Sequence, residues 1–122
     1  MYRPSFFSSD DGVSWTGPRN SMWRDSINTH THSCEGSLLG IGSKLFYFNP
    51  TGQGKNARTK MVVRCSINAG RNLTEAAYAV TSTSVGGYSD MASTGSKDTP
   101  LLIGWGDTTN VFVELINTDW CE

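Results

Sequence analysis

Apolar residues in this chain come in short bursts of four to eight, separated by Gly, Pro, Asn, Asp and Ser. No window keeps the i, i+3, i+4 apolar spacing of an amphipathic helix, so no helix is predicted. The bursts predict strands over residues 2–8, 21–24, 36–41, 45–48, 60–67, 73–80, 88–93, 100–105 and 111–116. Residues 17–32, with Pro18, Asn20 and Asn28, break the pattern and predict an irregular connection around the short strand at 21–24.

The breaks carry turn chemistry. In SSDDGVSW, residues 8–15, Asp11-Gly12 is a tight-hairpin signal: Gly12 supplies positive φ, and a turn carboxylate accepts backbone N–H bonds. Asp10 and Asp11 are therefore expected to be structural, with Trp15 packed beneath the hairpin. Gly42-Ser43-Lys44 predicts a second hairpin, Asn49-Pro50 a strand end, and Asn68-Ala69-Gly70 another tight turn. Strands 36–41, 45–48, 60–67 and 73–80 then form a four-stranded antiparallel meander, and the pattern restarts at Tyr88 with three more strands.

A turn signature marks the repeat. Residues 8–15 align with residues 66–73, SINAGRNL, at a spacing of 66 − 8 = 58. A four-stranded unit recurring at this interval with a fixed turn is how a β-propeller reads. The expected class is all-β, a partial six-bladed propeller with about two blades: residues 1–25 end one blade, 26–83 form a full blade, and 84–122 form an incomplete last blade.

Composition narrows the function. Ten Lys and Arg against eleven Asp and Glu leave a net charge of −1, so no basic footprint for nucleic acid is expected. No apolar run approaches the roughly 20 residues that span a bilayer as a helix. The first residues, MYRPSFFSSDD, lack the basic-then-apolar order of a signal peptide. Three cysteines, Cys34, Cys65 and Cys121, are an odd number without CxxC, and no disulfide framework is legible. His30, His32 and Cys34 alternate, but one strand supplies neither a fourth ligand nor tetrahedral geometry; no metal or cofactor is expected. Asn72-Leu73-Thr74 is an N-glycosylation acceptor if the chain is secreted or lysosomal. The sequence fixes no compartment.

SSDDGVSW fits the Asp-box, Ser/Thr-x-Asp-x-Gly-x-Ser/Thr-Trp, at every defined position: Ser8, Asp10, Gly12, Ser14 and Trp15. The copy at 66–73 is degraded, with Asn68, Asn72 and Leu73 at the Asp, Ser/Thr and Trp positions. Downstream, Phe48-Asn49-Pro50, then Arg58 eight residues before Ser66, then Gly87-Tyr88-Ser89-Asp90-Met91 resemble in order the C-terminal part of animal-type sialidases. The resemblance covers about residues 34–105.

The resemblance implies a six-bladed propeller that removes terminal sialic acid from glycoproteins, glycolipids or oligosaccharides with retention. In that family three arginines clamp the sugar carboxylate, which suits planar guanidinium groups. A tyrosine activated by a glutamate attacks the anomeric carbon, where the adjacent carboxylate repels an anionic nucleophile, and an aspartate is the general acid. By matching positions, Arg58 is the third arginine, a substrate-binding residue, and Tyr88 the catalytic nucleophile.

Strand parity, counted outward from a propeller axis, puts Arg58 and Tyr88 on one face and both Asp-box turns on the other. Arg64 falls mid-strand and reads as a packing or surface position, Asp90 as a backbone support. Glu35 also falls on the site face, without a family role. The family's first two arginines, its acid/base aspartate and its activating glutamate belong before the first Asp-box and have no counterpart here. Near the end, Gly104-Trp105-Gly106-Asp107 stands where relatives carry Leu-Tyr-Glu, with Asp107 one position off. The expectation is thus a sialidase propeller lacking its remaining blades, inactive as this polypeptide alone. The alternatives are a non-catalytic sialoglycan-binding fragment and a propeller whose Asp-boxes are purely structural.

Overall fold

The turn chemistry and the alternation of side chains build nine strands and, among the described residues, no helix. A computed structural model describes residues 2–24, 36–51, 60–71, 77–80, 86–106 and 109–122. The strands are β1 (Tyr2–Phe7), β2 (Thr16–Arg24), β3 (Ser37–Ile41), β4 (Lys44–Pro50), β5 (Met61–Ser66), β6 (Ala77–Ala79), β7 (Tyr88–Ser93), β8 (Leu101–Gly106) and β9 (Val111–Ile116). They form three antiparallel sheets, β1-β2, β3-β4-β5-β6 and β7-β8-β9. The four-stranded meander is as the sequence predicts, each strand paired with its neighbour in the chain.

Among the described residues, two strand boundaries differ from expectation by two residues or more. β2 begins at Thr16, well before residue 21, and pairs with β1 from Phe7↔Thr16 to Tyr2↔Arg24. Pro18 is compatible because β2 is an edge strand, where a missing N–H need not break a ladder. Asn49-Pro50 ends β4 as expected but lies within the strand, two residues past the predicted limit at 48: Pro50 is its last residue, paired with Met61, beyond the reach of β3, whose first pair is Ser37↔Phe48. There, too, the absent donor is tolerated.

Period-two alternation decides which faces meet. On β5, Met61, Val63 and Cys65 are buried; on β8, Leu101, Ile103 and Trp105 are buried. Phe46 and Phe48 of β4 share the face of Met61, Val63 and Cys65, and the two apolar faces pack together with β7 lying against β3 and β4. Phe48 meets Trp105 edge-on, with centroids 6.1 Å apart and planes at 88°. Phe46 meets Trp120 in the same manner at 6.1 Å. Fully burying side chains of this size stabilises the fold by about 1.5–3 kcal/mol each.

Three ties join the sheets beyond this contact, two of them hydrogen bonds and one a covalent bond. Tyr78 on β6 donates its hydroxyl to the Glu114 carboxylate on β9, which holds the phenol above its ordinary pKa, with burial adding to the effect. Cys65 on β5 is bonded to Cys121 after β9, a link across 56 positions that sequence spacing did not reveal. Both cysteines are fully buried. Lys44 Nζ also donates to the Thr118 carbonyl at 3.2 Å, so the C-terminal segment is anchored to the central sheet at two points.

Cross-linking residues this far apart removes unfolded-state entropy worth about 4 kcal/mol in the chain-entropy account. Reduction, or paired Cys65→Ala and Cys121→Ala substitution, should lower unfolding stability by about 2–4 kcal/mol in urea titrations. An unchanged midpoint would reject the link. Removing the inter-sheet hydroxyl with Tyr78→Phe should cost about 1 kcal/mol near neutral pH. Because the folded pKa of Tyr78 is raised, its contribution is full below the unfolded tyrosine value and fades as pH rises through the folded one. The difference between wild type and Tyr78→Phe should therefore narrow in strongly alkaline solution.

Candidate functional site

Tyr88 opens β7 and is 60% exposed. What puts it there is the close fit of the chain just before it. Gly86 is buried between Met61 and Trp105: a Cβ there would lie 3.0 Å from Met61 Cγ and 3.1 Å from Trp105 Cδ1. Gly87 then donates to the Gly106 carbonyl at 3.1 Å, which sets the Tyr88↔Gly106 register. Ser89 points inward and donates its hydroxyl to the Phe48 carbonyl at 3.0 Å. With Ser89 committed to the interior, period two turns Tyr88 outward. Gly86, Gly87 and Ser89 are positioning residues that the reading of the GYSDM motif did not single out.

Tyr88 shares its outer face with Asp90, Gly104, Gly106, Val111 and Val113 through the pairs Asp90↔Gly104, Gly104↔Val113 and Gly106↔Val111. Asp90 Oδ1 accepts the Met91 amide at 2.8 Å, the backbone support expected of it. Val111 and Val113 are 82% and 66% exposed, and among the described residues no strand pairs with the outer edge of β9.

β4 leaves the central sheet, and β5 enters it, at the end where Tyr88 lies. β4 leaves its sheet at Pro50, opposite Met61, and Thr51 receives the chain back: its N–H and Oγ1 both reach the Lys60 carbonyl at 2.9 Å. Phe48 and Met61, which contact Ser89 and Gly86, belong to this end. Arg58 itself, with His30, His32, Cys34, Glu35 and Asp107, lies outside the described residues. Among the described residues, no three His, Cys, Asp or Glu side chains gather as metal ligands do.

The turns at Ser8 and Ser66 are built as scaffolds. Ser8 Oγ donates to Asp10 Oδ1 at 2.8 Å and accepts the Gly12 amide at 2.8 Å. Asp10 accepts the Ser14 amide at 2.9 Å and the Ser14 hydroxyl at 2.5 Å, while Val13 N–H closes onto the Asp10 carbonyl at 3.1 Å. Asp11 and Gly12, at φ 54° and 87°, are the two positive-φ residues of a type I′ hairpin turn. The degraded copy keeps the same frame. Ser66 Oγ donates to Asn68 Oδ1 at 2.9 Å and accepts the Gly70 amide at 2.9 Å, with Ala69 and Gly70 at φ 57° and 80°. Asn68 replaces Asp10 because a side-chain carbonyl suffices for the bond from the serine. The turn follows β5 at Ser66, which pairs with Leu45 at the end of the sheet away from Pro50 and Tyr88.

Trp15 departs from expectation. It does not pack beneath the hairpin but lies 62% exposed along the turn, with Nε1 donating to the Gly12 carbonyl at 3.0 Å. The indole N–H satisfies a turn carbonyl, and the two-stranded sheet offers no second layer among the described residues to cover the ring.

No family model, curated protein or solved structure matches this chain.

The hydrogen bonds from Ser14 and Ser8 lower the Asp10 pKa from 3.8 to about 2. A carboxylate with a depressed folded pKa contributes fully above its unfolded value and loses that contribution as pH falls through the folded one. The Asp10 turn should therefore stay intact to below pH 3.8 and loosen as pH falls through about 2. A carboxyl-detected NMR titration of Asp10, with the Ser14 amide as reporter, checks this; a midpoint near 3.8 would show the bonds to be absent.

Proposed function

We propose that this chain is the C-terminal part of an exo-α-sialidase propeller, with Tyr88 as the nucleophile and Arg58 as one of the arginines that hold the substrate carboxylate. The observation that carries the reading is the presentation of Tyr88. A tyrosine held outward by Gly86, Gly87 and Ser89 opens the first strand of a sheet, at the end where the connection containing Arg58 leaves its neighbour.

Two further features support it. The turns at Ser8 and Ser66 share one hydrogen-bonded frame and sit at equivalent points of a repeating strand pattern, as repeated blades require. The β7-β8-β9 sheet also repeats the order of β3-β4-β5, which leaves β9 where β5 stands. β5 is covered along its edge by β6 and across Met61, Val63 and Cys65 by the next sheet. On β9 the matching surface, Val111, Val113 and Leu115, is exposed. In this reading a further strand continues the sheet beyond β9, and a further blade covers the Val113 and Leu115 part of this face, leaving the Tyr88 end open.

The chemistry follows from the residue types. Guanidinium and carboxylate pair through two parallel hydrogen bonds and hold the sugar in one orientation. The Tyr88 oxygen then bonds to the anomeric carbon as the glycosidic bond breaks, and water later releases the sugar with retained configuration. Tyr88 needs a base to take its phenolic proton, and the leaving oxygen needs an acid. The glutamate and aspartate that serve the family in these roles have no counterpart among the matched positions, so both come from outside this chain.

On a fluorogenic sialoside the chain by itself should show no turnover. Joined to the blades that supply the missing acid, base and arginines, it should turn over substrate, and Tyr88→Phe should lower kcat by about a thousandfold or more. Normal turnover by the chain alone, or full activity in the joined Tyr88→Phe protein, would sink the proposal. Sialoglycan binding that is lost on Arg58→Ala but never leads to hydrolysis would point to a lectin-like role instead.

A further inference from the structure

Edge strands are kept from pairing with other chains by proline, by bulges, by shortness or by a covering element. β1 and β2 carry Pro4 and Pro18 and break register twice, β6 has three residues, and β3 and β7 lie against each other. Among the described residues β9 has none of these guards. Its six residues, VFVELI, hold an unbroken register with β8, and no described strand pairs with its other side.

Hydrogen-bond parity decides which groups face that open side. Thr94 N–H donates to the Pro100 carbonyl at 3.0 Å, so Leu102, Gly104 and Gly106 direct their peptide groups to β7. Leu101, Ile103 and Trp105 then direct theirs to β9, where Ile116, Glu114 and Phe112 receive them. The N–H and C=O groups of Val111, Val113 and Leu115 are left to the outer edge. Their side chains share the outer face and are exposed. The same three positions thus offer donors, acceptors and apolar surface.

We propose that a second copy of this chain occupies the edge, the two β9 strands running antiparallel about a two-fold axis at Val113. β9 is complementary to itself in this register. Val113 faces the partner's Val113 and Val111 faces the partner's Leu115, each pair exchanging two backbone hydrogen bonds with apolar side chains matched on one face. Glu114, the one charged residue in 109–117, faces the partner's Phe112 and keeps its bond from Tyr78. An axis at Glu114 would set two carboxylates opposite each other, and one at Phe112 would leave Leu115 facing the partner's Thr109. A net charge of −1 per chain adds little repulsion.

A two-fold contact of this kind closes on itself, joining two three-stranded sheets into one of six strands. Tyr88, on β7, is separated from the joint by β8 and β9 and stays accessible. The pairing belongs to this chain by itself and does not rest on the sialidase reading, in which a further strand takes this edge once the missing blades are joined.

Two measurements on the unaltered chain test the register. From micromolar to submillimolar concentration, sedimentation should show monomer giving way to dimer and to nothing larger. Over the same range, hydrogen exchange at the Val111, Val113 and Leu115 amides should slow by about tenfold or more, while Phe112 and Glu114, bonded to β8, stay protected throughout. Val113→Lys and Val113→Asp each put like charges on the axis and should stay monomeric with the circular dichroism of the wild type. Mixed one to one, they should form a heterodimer. Should either variant fail to fold, the exchange pattern of the wild type decides alone. A monomer at every concentration overturns the proposal, as do species larger than a dimer, a dimer whose Val113 amide exchanges freely, or folded variants that do not associate when mixed. Sialoside turnover, present or absent, moves none of these outcomes.

Discussion

The contact of Trp105 with Phe48, Met61 and the Gly86 backbone is the constraint on which the rest of the structure depends. It is where two sheets, neither able to bury its apolar face alone, cover each other. Because interiors are close-packed, a side chain at position 86 would push the sheets apart or displace the Met61 and Trp105 side chains. That closeness sets the entry of β7, and the entry of β7 sets the outward direction of Tyr88. The candidate nucleophile is thus a consequence of core packing one residue pair away.

Around this contact the fold uses polar and covalent ties where apolar surface is short. Small β-sheets with few long aliphatic residues bury little area per residue, and their net stability is a small difference between large terms. The Tyr78–Glu114 bond joins the outer strands, and Cys65–Cys121 fixes the last residues to β5. The frames at Ser8 and Ser66 act locally instead. Each satisfies turn amides with serine and Asp or Asn oxygens, and each needs two residues at positive φ. Ala69 adopts that conformation without being glycine, held by the serine bonds on either side of it.

Much of the fold was legible in the chain. Period-two alternation located the meander, and β7 and β9 have the predicted limits, because half-buried strands leave a strong alternating record. The Ser66 turn was legible as a repeat of the Ser8 turn despite three substitutions, since the serine and the glycine that build the frame were both kept. β2 was less legible, because Pro18, Gly17 and Asn20 signal a loop locally and only pairing with β1 makes them strand. The place of Trp15 was not legible either: an indole reads as core until the absence of a covering layer over its hairpin is known.

The sequence by itself determined the all-β class, the turn frames and the order of the strands. These are local properties, carried by side-chain period, φ preference and spacing. Tertiary structure alone decided that Cys65 meets Cys121 and that Tyr78 meets Glu114. It also decided that Gly86 and Ser89 hold Tyr88 outward at the Pro50 end of the central sheet. Each of these joins residues far apart in the chain through sheet-on-sheet packing, and no local pattern records which faces meet.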